Sequence, residues 1–239
     1  MSKISIRFFL CLAAIAAASA ASAGPLVQLH QASPFNKANA RLPKIVSPAT
    51  PATARINSAF AVLDARWSGF MRSCPKDGDT GRTIKVTMTG PQFFSVVVND
   101  EESCGGAHPD SSSLALVYDL ATGKPVDWKM LLGPRAALSA STDTVIDGTR
   151  TGYFASAPLQ ALYLKFLKAT IHDKDWWGQC QDVFGDPLPF IAWPDAKTHA
   201  LVLQPNFPHA VQACAEDGSI GVDDLQKMGA SAKLIEALR

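Results

Sequence analysis

Apolar residues recur along the chain with two distinct periods. Ile56, Phe60, Leu63, Trp67, Phe70 and Met71 fall at helical spacing, with Arg55, Asp64 and Arg66 on other faces, which predicts an amphipathic helix packed on a core. Thr83 to Thr89 and Gln92 to Val98 read as strands joined at Gly90-Pro91. A polar loop through Gly105-Gly106 leads to a third strand at Leu114 to Leu120. Thr122-Gly123 turns the chain into Lys124 to Trp128, and Met130 to Leu132 begin a short helical stretch. Leu159, Leu162, Tyr163, Phe166, Leu167 and Ile171 form a second apolar helical face, with a third short helix over Trp176 to Phe184. Pro189 to Trp193 and His199 to Gln204 flank a turn at Pro194-Asp195. Phe207 to Ala213 reads as extended, and Ala230 to Leu238 as a closing helix capped by Ser231. Strands joined by hairpins, with helices before and between them, predict an α+β fold with a mainly antiparallel sheet.

Outside these periods lie the two N-terminal segments. Lys3 and Arg7 precede an uncharged apolar stretch from Phe8 to Ala18, and Ala21-Ser22-Ala23 offers a small-x-small cleavage site. Residues 1–23 therefore read as a signal peptide. The stretch is shorter than the ~20 apolar residues of a membrane span. Cys11 sits inside it after bulky Phe9 and Leu10, which argues against lipidation. Residues 24–51 scatter five prolines among Ala, Ser, Asn and Lys with no hydrophobic period. They read as an extended, mobile tail ahead of a single α+β domain at 52–239. Cleavage after Ala23 leaves 20 basic and 21 acidic residues, a net charge of −1 with histidines neutral. That balance lacks the basic stripe that nucleic acid or an anionic membrane would favour. A periplasmic or secreted location follows, with no membrane anchor in the mature chain.

Export changes the meaning of the cysteines. Loss of Cys11 leaves Cys74, Cys104, Cys180 and Cys214, an even count that favours two disulfides in an oxidising compartment. Three pairings are open to four cysteines, and the hairpins choose among them. The midpoint of Cys74 and Cys104 is residue 89, beside the Gly90-Pro91 turn; that of Cys180 and Cys214 is 197, beside Pro194-Asp195. Each pair thus occupies the open ends of one hairpin, where Cα atoms approach the ~5.5–6 Å a disulfide needs. Spacing gives no CxxC metal site; a four-cysteine zinc cluster assembled in space is the alternative.

Candidate chemistry concentrates around Cys104-Gly105-Gly106-Ala107-His108-Pro109-Asp110. Two glycines let the backbone bend sharply, so His108 projects from a constrained loop. His108 with Asp110 or Asp119, and the hydroxyls of Ser111 to Ser113, supply the parts of a hydrolase, but no Gly-x-Ser-x-Gly elbow accompanies them. His172-Asp173-Lys174-Asp175 lacks metal-ligand spacing and reads as a helix cap. Asp77-Gly78-Asp79-Thr80-Gly81 resembles the start of a calcium loop without its distal glutamate, so it reads as a turn. No metal and no cofactor are expected. Trp176-Trp177 are a paired aromatic anchor or core residues, and Asp182, Asp186 and Asp195 read as surface acids.

The Gly105 to Pro109 loop, Asp119-Leu120-Ala121-Thr122-Gly123-Lys124, the short helix near Trp128 to Leu132, and Leu201 to Val222 together resemble a known family. It is an extracytoplasmic domain of unknown function, found in RsiV-type lysozyme-sensing anti-sigma factors and in accessory parts of some peptidoglycan deacetylases. The resemblance spans about residues 82–226. It departs from the family at Ser103, where an aromatic often stands two residues before the double glycine. The resemblance implies a cell-envelope binding module that recognises a lysozyme-like protein or peptidoglycan. Gly105, Gly106, His108, Asp110, Trp176 and Trp177 are the candidate binding residues. The alternative is an envelope hydrolase or metal-dependent enzyme using His108 and nearby carboxylates.

Overall fold

A computed structural model describes residues 26–106, 108–139, 144–146, 149–151, 153–185 and 187–239. The expected signal peptide, Ala107 and Asp186 lie outside these residues. Strands β1 (Gln28–His30) and β2 (Lys44–Ser47) form a small antiparallel pair ahead of helix α1 (Pro51–Ser73). Thr50 caps α1 in a reciprocal box with Thr53, and Pro51 opens it, because its missing N–H costs nothing in the first turn.

Strands β3 (Asp79–Thr89), β4 (Phe93–Ser103), β5 (Asp110–Asp119) and β6 (Lys124–Pro125) build an antiparallel sheet in sequence order. Helix α2 (Trp128–Leu132), capped by Asp127, leads through β7 (Thr144–Ile146) and β8 (Thr149–Thr151) to β9 (Phe154–Ala155). Helices α3 (Ala157–Thr170) and α4 (Lys174–Cys180) precede β10 (Pro189–Asp195), β11 (Ala200–Pro205) and β12 (Gly218–Gly221). These last three strands join β9 in a second antiparallel sheet of order β12-β11-β10-β9. Helices α5 (Val222–Met228) and α6 (Ala232–Leu238) close the chain, α6 capped by Ser231 as expected. The fold is α+β, and among the described residues no helix is long and apolar enough to cross a membrane.

Strand alternation splits the core in two. Phe94, Val96 and Val98 of β4, with Leu116 and Tyr118 of β5, meet Ile56, Ala59 and Phe60 of α1. A bulge between Val86 and Met88 turns Met88 to the opposite face. There it joins Phe93, Val97 and Val117 against Phe190, Trp193, Leu201 and Leu203 of the second sheet and Tyr163 of α3. Thr87 and Ser95 share a buried hydroxyl hydrogen bond of 2.8 Å within this layer.

Both disulfides form as the hairpins required, Cys74–Cys104 and Cys180–Cys214, with Cα atoms 4.9 and 5.5 Å apart. All four thiols are thereby consumed, which removes the zinc-cluster alternative.

Three expectations are corrected. Residues 26–50 are not a mobile tail but a strap packed along the edge of β3. Val27 N–H donates to Thr89 O, while Arg82 N–H donates to Ala38 O and Ala40 N–H to Arg82 O. Asn39, 1% exposed, donates to Thr80 O and accepts from Trp67 Nε1–H. Asn57 answers both backbone groups of Ile45 at 2.9 Å, and Val27, Leu42 and Ile45 are buried. Secondly, Phe207 to Ala213 is not extended; His209–Cys214 forms a 3₁₀ turn that lets Cys214 reach Cys180. Thirdly, Asp195 is no surface acid: it is 3% exposed, accepts from Lys197 and Thr198 N–H across the β10–β11 turn, and pairs with Lys85. Asp182 is exposed as expected.

Candidate functional site

The residues before Ile84 on β3, after Val98 on β4 and before Leu114 on β5 are polar, so this end of the sheet runs past both cores. Cross-strand register assigns its side chains to faces. Arg82, Asp100 and Ser112 share the α1-facing side with Thr80, Glu102 and Asp110; Gly81, Glu101 and Ser111 share the other with Thr83, Asn99 and Ser113.

On the α1 side lies a groove of about 450 Å³. Leu63, Phe70 and Leu114 give it an apolar lining, and Arg66, Arg82, Asp100, Glu102 and Asp110 give it charge. Its wall is organised by Arg82, only 6% exposed. Arg82 Nε and Nη2 donate to the two carboxylate oxygens of Asp100 at 2.6 and 2.7 Å. Its guanidinium stacks 4.3 Å above the Trp67 ring, and Nη1 lies 3.7 Å from Asp64 without a hydrogen bond. Burial pushes the Asp64 carboxyl above its ordinary range, against the Leu42 N–H, Arg82 and Arg41, which all favour its ionised form.

A second cavity, also about 450 Å³, opens on the other side, lined by Asp79, Glu101, Glu102, Ser103, Pro109, Asp110, Ser111 and His209 among others. The two cavities meet at Glu102, Asp110 and Ser111. The Cys74–Cys104 bridge ties the end of α1 to the end of β4, and Gly78 is packed so closely that an added Cβ would lie 2.7 Å from Cys74 Sγ and Ser103 O. Gly105 follows the bridge at φ +95°, a conformation that favours glycine.

His108 is exposed at the end of this loop. Its ring stacks on that of His209, centroids 6.2 Å apart and 14° from parallel. Ser111 Oγ–H donates to Gln212 Oε1 at 2.7 Å and Gln212 Nε2–H returns a bond to Ser111 O at 3.1 Å, pinning the 3₁₀ turn to β5. Ser113 Oγ–H donates to Asn99. Two of the three hydroxyls of the serine run thus bond to amide side chains. Asp110 is exposed and accepts from Ser111 N–H.

Gly105, Gly106, His108 and Asp110 therefore gather at one end of the first sheet. Trp176 and Trp177 belong to a different cluster: half-buried on α4, they pack edge to face on each other and against Phe184, and Trp177 Nε1–H donates to Ile171 O. Asp173 caps α4 through the N–H groups of Asp175 and Trp176, as the His172 to Asp175 run suggested. Gly78 N–H donates to Pro75 O in a turn, and β3 begins at Asp79. Among the described residues no group of three His, Cys, Asp or Glu side chains is placed to hold a metal.

His209, Gln212, Glu102 and Arg82 are the participants that the sequence did not announce. For Arg82 a signal exists: it stands one strand period before Ile84 and Val86, on the face that meets α1.

No family model matches the sequence, and no curated protein matches it. Solved structures do. A member of the DUF3298 family from Bacteroides fragilis is 14% identical over 80% of this chain and 74% of its own, with a TM-score of 0.43. A DUF3298 family protein from Pseudomonas aeruginosa PAO1 is also 14% identical, over 88% of this chain and 96% of its own, with a TM-score of 0.51. The likeness to the Pseudomonas protein is one of fold: the two chains share an α+β architecture along nearly their whole lengths.

Proposed function

We propose that the chain is an exported cell-envelope binding module that recognises a lysozyme-like wall hydrolase or a wall glycan. The observation that carries this reading is the projecting end of β3–β5. It is rigidly bridged, has a cavity on each face, and is rich in carboxylates: Asp79, Glu101, Glu102 and Asp110 line the second cavity. A preorganised surface lowers the ordering cost of association, and concentrated negative charge steers a basic protein toward it. The resemblance to the RsiV-type domain supports the choice of partner, and the N-terminal segment supports export.

Binding of purified lysozyme and of peptidoglycan sacculi to the full chain tests the reading. One of the two should be retained, and retention should weaken about tenfold or more in Glu101→Lys with Asp110→Lys and as salt rises. Retention of neither, or retention indifferent to both changes, would overturn the proposal. Release of soluble muropeptides by the wild type, abolished in His108→Ala, would replace it with the hydrolase reading.

A further inference from the structure

We propose that the Cys74–Cys104 bridge is a redox switch: a dithiol reductant opens it while Cys180–Cys214 stays closed, and its opening releases the loop that carries His108. The two bridges sit in different surroundings. Cys180 and Cys214 are 2% and 6% exposed and belong to the core shared by the second sheet and α3. Cys74 and Cys104 are half-buried at the projecting end of the first sheet, outside both cores, and exposed Gly105 and Gly106 follow the second of them. A thiolate must reach the sulfur it attacks, so an exposed bridge is more labile than a buried one.

The geometry also selects the sulfur. Gly78 lies so close to Cys74 that an added Cβ would come within 2.7 Å of Cys74 Sγ, whereas Cys104 is followed by two residues without side chains. One thiolate of the reductant attacks Cys104 Sγ, the S–S bond breaks, and its electron pair leaves with Cys74 Sγ, which takes up a proton. The second thiolate then attacks the mixed disulfide, releases Cys104 as a thiol and leaves the reductant as a cyclic disulfide. Two electrons and two protons thus pass from the dithiol to the protein. Asp79 and Glu102 line the cavity beside the loop and repel anions, so the class that fits is a dithiol without further negative charge. Opening removes the loop's covalent tie to the end of α1. Among the described residues, the side-chain tie that remains between the loop and the rest of the fold is the His108 ring on that of His209. Pairing of Glu102 with Asp110 and the Ser111–Gln212 bonds hold the strands beyond it, so the change stays local. The opening itself is independent of the binding-module reading; its effect on a partner rests on that reading.

The test exposes the full chain to dithiothreitol under native conditions and traps free thiols with iodoacetamide at intervals. Cys74 and Cys104 should be labelled about tenfold faster than Cys180 and Cys214, and the difference should vanish in denaturant. With this bridge alone open, the nuclear Overhauser contacts between His108 and His209 should disappear while the amide resonances of β9–β12 stay in place, and reoxidation should restore the contacts. Labelling at equal rates or first at Cys180 would overturn the proposal, as would retained ring contacts or collapse of the second sheet's resonances. Partner binding is read separately, on protein alkylated at Cys74 and Cys104 and freed of reductant. It should retain lysozyme or sacculi about tenfold less than the oxidised protein does. Equal retention would overturn the switch as a control of binding. Retention of neither by the oxidised protein would sink the binding-module reading, and labelling order and ring contacts would still decide the bridge.

Discussion

Replacing Arg82 with methionine keeps most of the side-chain volume and removes one charge from the wall of the groove. In the wild type that guanidinium makes two short hydrogen bonds to Asp100, faces Asp64 at 3.7 Å and covers Trp67. Its partners are themselves 13% and 18% exposed, so water cannot fully replace it. Unit charges 4 Å apart at an effective dielectric of 20 interact by ~4 kcal/mol, and breaking a largely buried pair from one side costs about 3–5 kcal/mol. A cation–π contact adds roughly 0.5–2 kcal/mol, partly replaced by methionine sulfur over the ring. Arg82→Met should therefore lose about 3–5 kcal/mol at neutral pH in urea unfolding followed by tryptophan fluorescence. The deficit should depend on pH with a defined sign. Asp64 already titrates above its ordinary 3.8, and without Arg82 one of the influences that lowers it is gone. A carboxyl raised in the folded state favours folding fully below its unfolded value and loses that advantage as pH rises through its folded value. The gap between variant and wild type should thus be smallest near pH 3.5 and widen toward neutrality. Arg82→Met with Asp100→Leu should recover part of the loss. A neutral-pH deficit under about 1 kcal/mol, or one that does not change with pH, would refute the account of this cluster.

Leu42→Ala and Ile45→Ala should each cost about 2–5 kcal/mol by chemical denaturation, because the strap buries both side chains; surface-like losses below about 0.5 kcal/mol would return the segment to the status of a tail. Gly123→Ala should cost about 3 kcal/mol, since φ is +64° and a Cβ there would run into the Ala52 backbone at the start of α1; a neutral result in a thermal melt would show that this contact yields easily. Cys74→Ser with Cys104→Ser should lose about 3 kcal/mol and separate His108 from His209, which loss of the ring–ring nuclear Overhauser contacts would report.

The elements with a strong period were legible in the sequence. The four-three-four spacing of Ile56, Phe60, Leu63 and Trp67 marks α1 because each of those positions meets the sheet or the strap. The two hairpins were legible enough to fix the disulfides. The strap was not, because it has few apolar residues: Val27, Leu42 and Ile45 are scattered among polar ones, and its attachment is backbone bonding to β3 and two asparagines that leave no periodic trace. Asp195 misled for a related reason. Its carboxylate is buried by the turn it closes, and a carboxylate closing a turn reads like a carboxylate in solvent. At the candidate site, the double glycine and His108 stood out in the chain. Their neighbour His209 lies about a hundred positions away, on a turn that the second disulfide and the Ser111–Gln212 bonds hold beside β5. Trp176 and Trp177 read in the sequence as either a paired aromatic anchor or core residues, and α4 packs them against Phe184.

The two bridges join consecutive members of the four cysteines among the described residues, first with second and third with fourth, across separations of 30 and 34 residues. They neither cross nor nest. In a chain that meets an oxidant N-terminus first, Cys74 encounters Cys104 before Cys180 has arrived, and that first encounter is the native one. Cys180 then has only Cys214 left to meet. Order of appearance among these four cysteines then favours the observed connectivity, which lessens the demand on disulfide reshuffling.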